Sequence, residues 1–254
     1  DLAALGSTSP IAWHLIAESE RLAYADRELY LADIDFVPVP VAGLTDAAYL
    51  AARSALISPV TAMQDVVAGI PPGAARPAAD GDEAEEHGTS HFVVIDRQGS
   101  AASYTSTIEG PFGSGLMAGG FFLNNELTDF SFSSEQDGLP VANRVEGGKR
   151  PRSSMSPTLV YGPDGRLAMA LGAAGGSTIP VQVVRALIGL IDWKLTAEQA
   201  LALPVLYAPG DTLYLEQGSA LEAMAPSLVE LGHASVTARE LPLKTNAAVR
   251  TDAG

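Results

Sequence analysis

Apolar residues Trp13, Ile16, Ala17, Leu22 and Tyr24 recur at helical spacing behind Ser9-Pro10. Residues 9–31 therefore read as a helix with proline at its first position. Pro38-Val39-Pro40 breaks the next stretch, and Thr45 reads as the N-cap of a second helix, Asp46 to Leu56. Ser58 to Val67 is irregular, and 68–88 is a flexible linker by composition, with Pro71-Pro72-Gly73 and an acidic run. The pattern then changes. His91–Ile95 and Ala101–Thr107 read as strands joined by the turn Asp96-Arg97-Gln98-Gly99, and Leu159–Tyr161 and Leu167–Leu171 as a second hairpin. Gly175-Gly176-Ser177 precedes an apolar helix, Val181–Ile191. Thr196 caps a helix through Leu203, Leu213–Glu216 is a short strand, and Ala220–Leu231 is a helix. Hairpins followed by helices predict an α+β domain, an antiparallel sheet covered by helices.

Composition narrows the function. The chain has 254 residues, 47% of them hydrophobic, which supports a sizeable core. The net charge of −15 lacks the basic face a nucleic-acid partner needs. Absence of cysteine excludes disulfides, thiolate catalysis and Cys-zinc sites. The four histidines, His14, His87, His91 and His233, show no metal-ligand spacing. No apolar run approaches the length of a membrane span. The chain opens on Asp1 and ends at Thr251-Asp252-Ala253-Gly254, and it reads as an internal piece of a longer protein.

The chemistry centres on Gly88-Thr89, where the polar run stops and a strand begins. A cut there would give Thr89 a free α-amine, and an N-terminal threonine carries nucleophile and base in one residue. Gly88 has no side chain to keep the Thr89 hydroxyl from its carbonyl. An ordinary threonine at a strand start is the competing reading. Thr105 and Thr107 share one strand face, where a hydroxyl could meet that of Thr89. Glu126 and Asp129 could hold an ammonium group, or serve as a cap and a solvated face. Ser153 and Ser154, beside Lys149, Arg150 and Arg152, could bind a carboxylate, or form a polar loop. Gly175 and Gly176, before a helix, could present N–H groups to an oxyanion.

The order of these motifs is more specific than any one of them. Thr89-Ser90-His91-Phe92, Phe112-Gly113-Ser114-Gly115, Leu123-Asn124-Asn125-Glu126, Asp129-Phe130-Ser131, Arg150 to Pro157 and Gly175-Gly176-Ser177 together resemble the γ-glutamyltransferase family. Leu22 to Arg27 and Val39 to Leu44 resemble the end of that family's large subunit. The resemblance implies an N-terminal-nucleophile hydrolase, a four-layer αββα sandwich matured by autocleavage between Gly88 and Thr89. Residues 1–67 would be the helical end of the large subunit, 68–88 a linker, and 89–254 most of the small subunit. The two subunits of one precursor would form a heterodimer, and the resemblance implies a periplasmic or secreted location, with a cytoplasmic one left open. Thr89 would be the nucleophile, Thr107 its support, and Gly175 and Gly176 the oxyanion hole. Ser153 and Ser154 would bind the substrate α-carboxylate, and Glu126 and Asp129 its ammonium. The substrate would be a small γ-glutamyl amide, and neither cofactor nor metal is implied.

Two departures bear on specificity. Glu109 stands where the family usually has Asn, in a position that helps bind the ammonium. Phe130 to Gly148 has no Tyr, so the Tyr-bearing lid loop of some members has no counterpart. Both features also resemble the acylase-like branch, which hydrolyses glutaryl side chains. A third expectation, of another class, is an uncleaved binding protein with the same fold.

Overall fold

The computed structural model describes residues 1–75, 79 and 88–250. Helices α1 (Leu2–Leu5), α2 (Pro10–Tyr30), α3 (Val41–Leu44) and α4 (Ala47–Ser54) come first. Strands β1 (Thr89–Ile95) and β2 (Ala101–Thr107) form a hairpin, followed by two short ones, β3 (Met117–Ala118) with β4 (Phe121–Phe122) and β5 (Glu135–Gln136) with β6 (Leu139–Pro140). Then come β7 (Thr158–Tyr161), β8 (Leu167–Ala174), α5 (Ile179–Ile191), α6 (Ala197–Leu201), β9 (Leu206–Tyr207), β10 (Thr212–Glu216), α7 (Ala225–Glu230), β11 (Ser235–Arg239) and β12 (Lys244–Val249).

The α+β class expected from the sequence is the class observed. Leu171 and Ala173 of β8 pack against Ile179, Val183 and Ala186 of α5. The other face of the β12-β8-β7 sheet receives the β1-β2 hairpin. Small residues permit close approach there. A Cβ on Gly172 would lie 2.3 Å from Cε1 of His91, so the imidazole rests where only glycine leaves room. Ser103 Oγ donates to the Leu171 carbonyl at 2.9 Å, and Asn246 Nδ2 to the His91 carbonyl at 3.0 Å. The outer face of the hairpin, with Phe92, Val94 and Tyr104, is exposed.

A second core lies under α2. Trp13, Ile16 and Ala17 pack against Leu206, Leu213, Leu215 and Leu228, so a helix upstream of Gly88 is built into a sheet downstream of it. Tyr24, Val181, Val205 and Tyr207 form a third cluster alongside.

Several sequence expectations need correction. The first strand begins at Thr89, not His91, and the helix before β9 ends at Leu201. Asp46, not Thr45, caps α4: its carboxylate accepts from the Tyr49 N–H at 2.9 Å, while Thr45 Oγ1 bonds back to Val41 O. Residues 220–231 form a 3₁₀ turn (Glu222–Met224) and then α7, whose start is set by Pro226. The sheet around β10 is mixed, because β11 pairs with it in parallel. Strands β3, β4, β5, β6, β9, β11 and β12 add to those the sequence predicts. Most of the 68–88 linker, with His87, lies outside the described residues, as does the end from Thr251.

The histidines also depart from expectation. His14, Glu18 and His233 converge in the interior, with ligand-type atoms within 4.8 Å of one another. His14 Nε2 contacts the Ser58 carbonyl at 2.8 Å, so Nε2 carries the proton. His14 Nδ1 then accepts from His233 Nε2 at 2.8 Å. Two nitrogens on one tetrahedral zinc would stand about 3.3 Å apart, so this spacing suits a shared proton. Glu18 is occupied by Arg21 Nη1 at 2.6 Å and the Met63 N–H at 2.7 Å.

Burial lowers the His233 pKa to about 4; Glu18 opposes that shift, while His14 and Arg21 add to it. The sign follows from linkage. Unfolded histidine titrates near ~6.5, so the unfolded chain takes up the proton first. Stability is full above that pH and is lost as pH falls towards 4. The loss is up to about 3 kcal/mol. Urea titrations at pH 7 and 4.5 should show it, and His233→Gln should flatten the dependence in that window. An unchanged pH dependence in the variant would assign the loss elsewhere.

Candidate active site

Antiparallel register places Thr89 opposite Thr107 and His91 opposite Thr105. Alternation puts all four side chains on one face of the hairpin, the face that meets β8. Thr89 and His91 are buried. Thr105 Oγ1 is 2.8 Å from His91 Nδ1, so of the two threonines offered by the sequence it is Thr105 that is committed to the histidine. Burial lowers the His91 pKa and favours the neutral ring, whose Nε2 has no hydrogen-bond partner among the described residues.

Thr107 is held from the following turn. The Glu109 N–H donates to Thr107 Oγ1 at 2.8 Å. Glu109 sits at φ 67, in the left-handed region that a side chain disfavours. Asn125 grips this turn. Its Oδ1 accepts from the Gly110 N–H at 2.8 Å, its Nδ2 donates to the Glu109 carboxylate, and its own N–H donates to Ile108 O at 3.2 Å. Gly88 lies against the same turn: at φ 107, a Cβ on it would fall 2.0 Å from the Glu109 carbonyl oxygen.

A cavity of about 370 Å³ opens beside β2. Thr105, Ser106 and Thr107 form one wall, Glu126 and Asp129 another, and Pro151, Arg152, Ser153 and Met155 a third. Five residues singled out from sequence, Thr105, Thr107, Glu126, Asp129 and Ser153, thus line one space. Glu126 and Asp129 belong to a 3₁₀ turn, Glu126–Asp129. Oε1 of Glu126 is buried without a hydrogen-bond partner among the described residues, and Asp129 is buried. These carboxylates do not form a solvated face.

The serine pair is split. Ser153 is exposed and faces the cavity, whereas Ser154 is buried and its Oγ accepts from Arg27 Nη2 of α2 at 2.6 Å. The basic residues around them are structural ties. Arg150 holds Asp33 through Nε at 3.1 Å and Nη2 at 3.0 Å, and that pairing keeps the Asp33 carboxyl well below its ordinary pKa. Arg152 Nη1 donates to the Arg27 carbonyl at 2.9 Å, and Nη2 pairs with Glu28. Lys149 Nζ donates to the Ala142 carbonyl at 2.6 Å, and burial lowers its pKa.

Gly175 and Gly176 follow β8 and lead through a short 3₁₀ turn into α5. They do not line the 370 Å³ cavity. Gly175 has φ 136, and a Cβ there would meet the Pro242 carbonyl at 2.1 Å. Gln182 braces this corner, donating to Ala174 O at 2.9 Å and accepting from the Lys244 N–H at 2.9 Å.

Thr89 thus stands opposite Thr107 with Gly88 at its amino side, and Glu126 and Asp129 face Thr107 across the cavity. The family model described as gamma-glutamyltranspeptidase matches residues 1–254. This chain belongs to the γ-glutamyltranspeptidase family. Among the family's members it is similar to the glutathione hydrolase proenzyme of Pseudomonas aeruginosa, 38% identical over 231 residues. That match covers 87% of this chain and 39% of the relative. The acylase ACY 1 proenzyme of Pseudomonas sp. (strain V22) is 35% identical over 235 residues, 92% of this chain and 39% of the relative. The chain therefore spans about two fifths of the length of the curated relatives it matches. Among solved structures, the γ-glutamyltranspeptidase of Pseudomonas nitroreducens complexed with L-DON matches with TM-score 0.54 and 31% identity. It covers 65% of this chain and 90% of its own. An acivicin-inhibited γ-glutamyltranspeptidase matches with TM-score 0.55 and 32% identity, covering 63% and 88%. These likenesses establish the N-terminal-nucleophile hydrolase fold.

The site residues that sequence reasoning missed are Asn125, Arg27 and His91. Asn125 sits within a quoted motif, but its role depends on a turn 15 residues away. Arg27 acts 127 residues from its position. For His91, the period-two alternation with Thr89 was the available signal.

Proposed function

We propose that this chain carries the processing site and most of the catalytic subunit of a γ-glutamyl hydrolase/transferase. The observation that carries the reading is Thr89 at the head of β1, behind a glycine and opposite Thr107 at the cavity wall. Residues 1–67 would close the large subunit, 68–88 would link, and 89–254 would begin the small one. The solved chains that match about two thirds of this sequence support that division, because residues downstream of Gly88 make up about that share.

Maturation begins when Thr89 Oγ1 adds to the Gly88 carbonyl carbon. The 88–89 C–N bond breaks and the hydroxyl proton ends on the Thr89 nitrogen. Water then hydrolyses the ester, freeing the hydroxyl and leaving a Gly88 carboxylate. In turnover the new α-amine takes the hydroxyl proton. Oγ1 attacks the γ-carbonyl of the donor, and the N–H groups of Gly175 and Gly176 receive the oxyanion. The leaving amine takes the proton, and the γ-glutamyl ester passes to water or to an amino acid or peptide. Glu126, with its unpartnered buried oxygen, and Asp129 would hold the donor ammonium. Ser153, which faces the cavity, would hold its carboxylate, with Ser154 tied to Arg27 behind it.

The test is the whole precursor on a gel, followed by N-terminal sequencing and assay with a chromogenic γ-glutamyl anilide. The reading expects a small subunit that starts at Thr89 and releases anilide. A single band that persists favours the uncleaved binding protein, and a cleaved enzyme that leaves the anilide intact removes the γ-glutamyl assignment.

Glu109 supports a second reading, an amidase for glutaryl-type acyl groups, in keeping with the likeness to an acylase. Its carboxylate accepts from Nδ2 of Asn125, the residue before Glu126, and Glu109 itself is not among the residues that line the 370 Å³ cavity. Glu109→Asn is expected to shift the ratio of γ-glutamyl to glutaryl turnover about tenfold towards γ-glutamyl, the worth of one charge-assisted hydrogen bond. An unchanged ratio removes Glu109 from substrate selection.

A further inference from the structure

We propose that Asn125 is a positioning residue for self-cleavage, acting through the turn 108–110 on both sides of the bond to be cut. The inference rests on the functional reading above, and adds to it a residue that touches neither the nucleophile nor the scissile peptide.

The hydrogen bonds define the device. Asn125 engages three consecutive residues: Ile108 through its main-chain N–H, Glu109 through Nδ2 and Gly110 through Oδ1. The middle residue is held at φ 67, although it carries a side chain. Without a clasp, glutamate favours the right-handed or extended regions. In its held conformation Glu109 does two things at once. Its N–H occupies one lone pair of Thr107 Oγ1 at 2.8 Å, which fixes the hydroxyl facing Thr89 across the hairpin. Its carbonyl oxygen packs against Gly88 where a Cβ would stand. Attack of Thr89 Oγ1 on the Gly88 carbonyl needs both placements together.

Asn125 is itself anchored. Its carbonyl accepts from the Thr128 N–H at 3.0 Å and from Thr128 Oγ1 at 2.9 Å, inside the turn that bears Glu126 and Asp129. The clasp therefore joins the acidic wall of the cavity to the cleavage site.

The experiment follows self-cleavage of the whole precursor by gel and mass, with thermal melting as a check on folding. Asn125→Ala is expected to slow cleavage roughly tenfold to a hundredfold, the scale of a misplaced reacting group. The double variant Asn125→Ala with Glu109→Gly is expected to recover to within about threefold of wild type, because glycine takes a positive φ unaided. A merely structural role for Asn125 predicts no such rescue. Should Asn125→Ala fail to melt cooperatively, Asn125→Asp keeps the acceptor for Gly110 and loses the donor to Glu109. It is then expected to cut at least about fivefold slower than wild type. Wild-type cleavage rates in the single variants, or a double variant no faster than Asn125→Ala, overturn the clasp alone. A wild-type precursor that stays uncut overturns the functional reading and the clasp with it.

Discussion

Thr89→Ala is expected to leave the precursor as one chain and to lower anilide release by at least about a thousandfold. Loss of a nucleophile leaves only binding and oxyanion contributions. The variant should fold normally. Thr89 lies at the end of β1, and alanine leaves out only a hydroxyl and a methyl group. Its melting should therefore stay within a few degrees of wild type. Thr89→Ser separates the two losses. It retains the oxygen, so cleavage should continue, more slowly because serine is less fixed about χ1 than β-branched threonine. An alanine variant that is still cut between residues 88 and 89 would remove Thr89 from the chemistry altogether.

Gly88→Ala should be nearly as severe for maturation, for a steric reason. The added Cβ would lie 2.0 Å from the Glu109 carbonyl oxygen, and Gly88 has φ 107, which an L side chain rarely adopts. The chain must either move Gly88 away from the turn or open the turn itself. Both displace the scissile carbonyl from Thr89 Oγ1, and a displacement of about 1 Å costs on the order of a hundredfold. Cleavage half-time, read by gel, is the measurement. The same variant introduced as two separately expressed chains cut at this bond should show near-normal turnover, because Gly88 then ends the other chain. Slow turnover in that format would place Gly88 in the catalytic cycle as well as in maturation.

Local chemistry was the legible part of this molecule. Ser9-Pro10 marked the start of α2, Asp96 to Gly99 the hairpin turn, and Thr196 a capping box completed by Gln199. Each signal acts over a few residues, so the chain alone displays it. Thr105 and Thr107 could both be placed on the face shared with Thr89 because strand side chains alternate, and the choice of Thr107 came only with the family resemblance. What stayed hidden depends on contacts far apart in sequence. The β10-β11 pair is parallel because α7 carries the chain back across the sheet, and nothing in Ser235–Arg239 announces that partner. His14 and His233 are 219 positions apart, so no spacing rule could join them. The left-handed Glu109 runs against its own propensity and is held by Asn125, which is why it escaped a reading based on local preference.

Helix α2 has a further consequence. Trp13, Ile16 and Ala17 belong to the hydrophobic core of residues 206–228, yet they lie on the other side of Gly88. While the chain is whole, this core forms by closure within one molecule, at a rate independent of concentration. A cut after Gly88 would make the same core an association between two molecules. Refolding of a cut protein would then be second order, whereas refolding of the whole chain is expected to be first order. Dilution, harmless to the whole chain, would become a means of keeping the denatured cut form unfolded. Self-cleavage would thus convert a reversible fold into one maintained by its unfolding barrier.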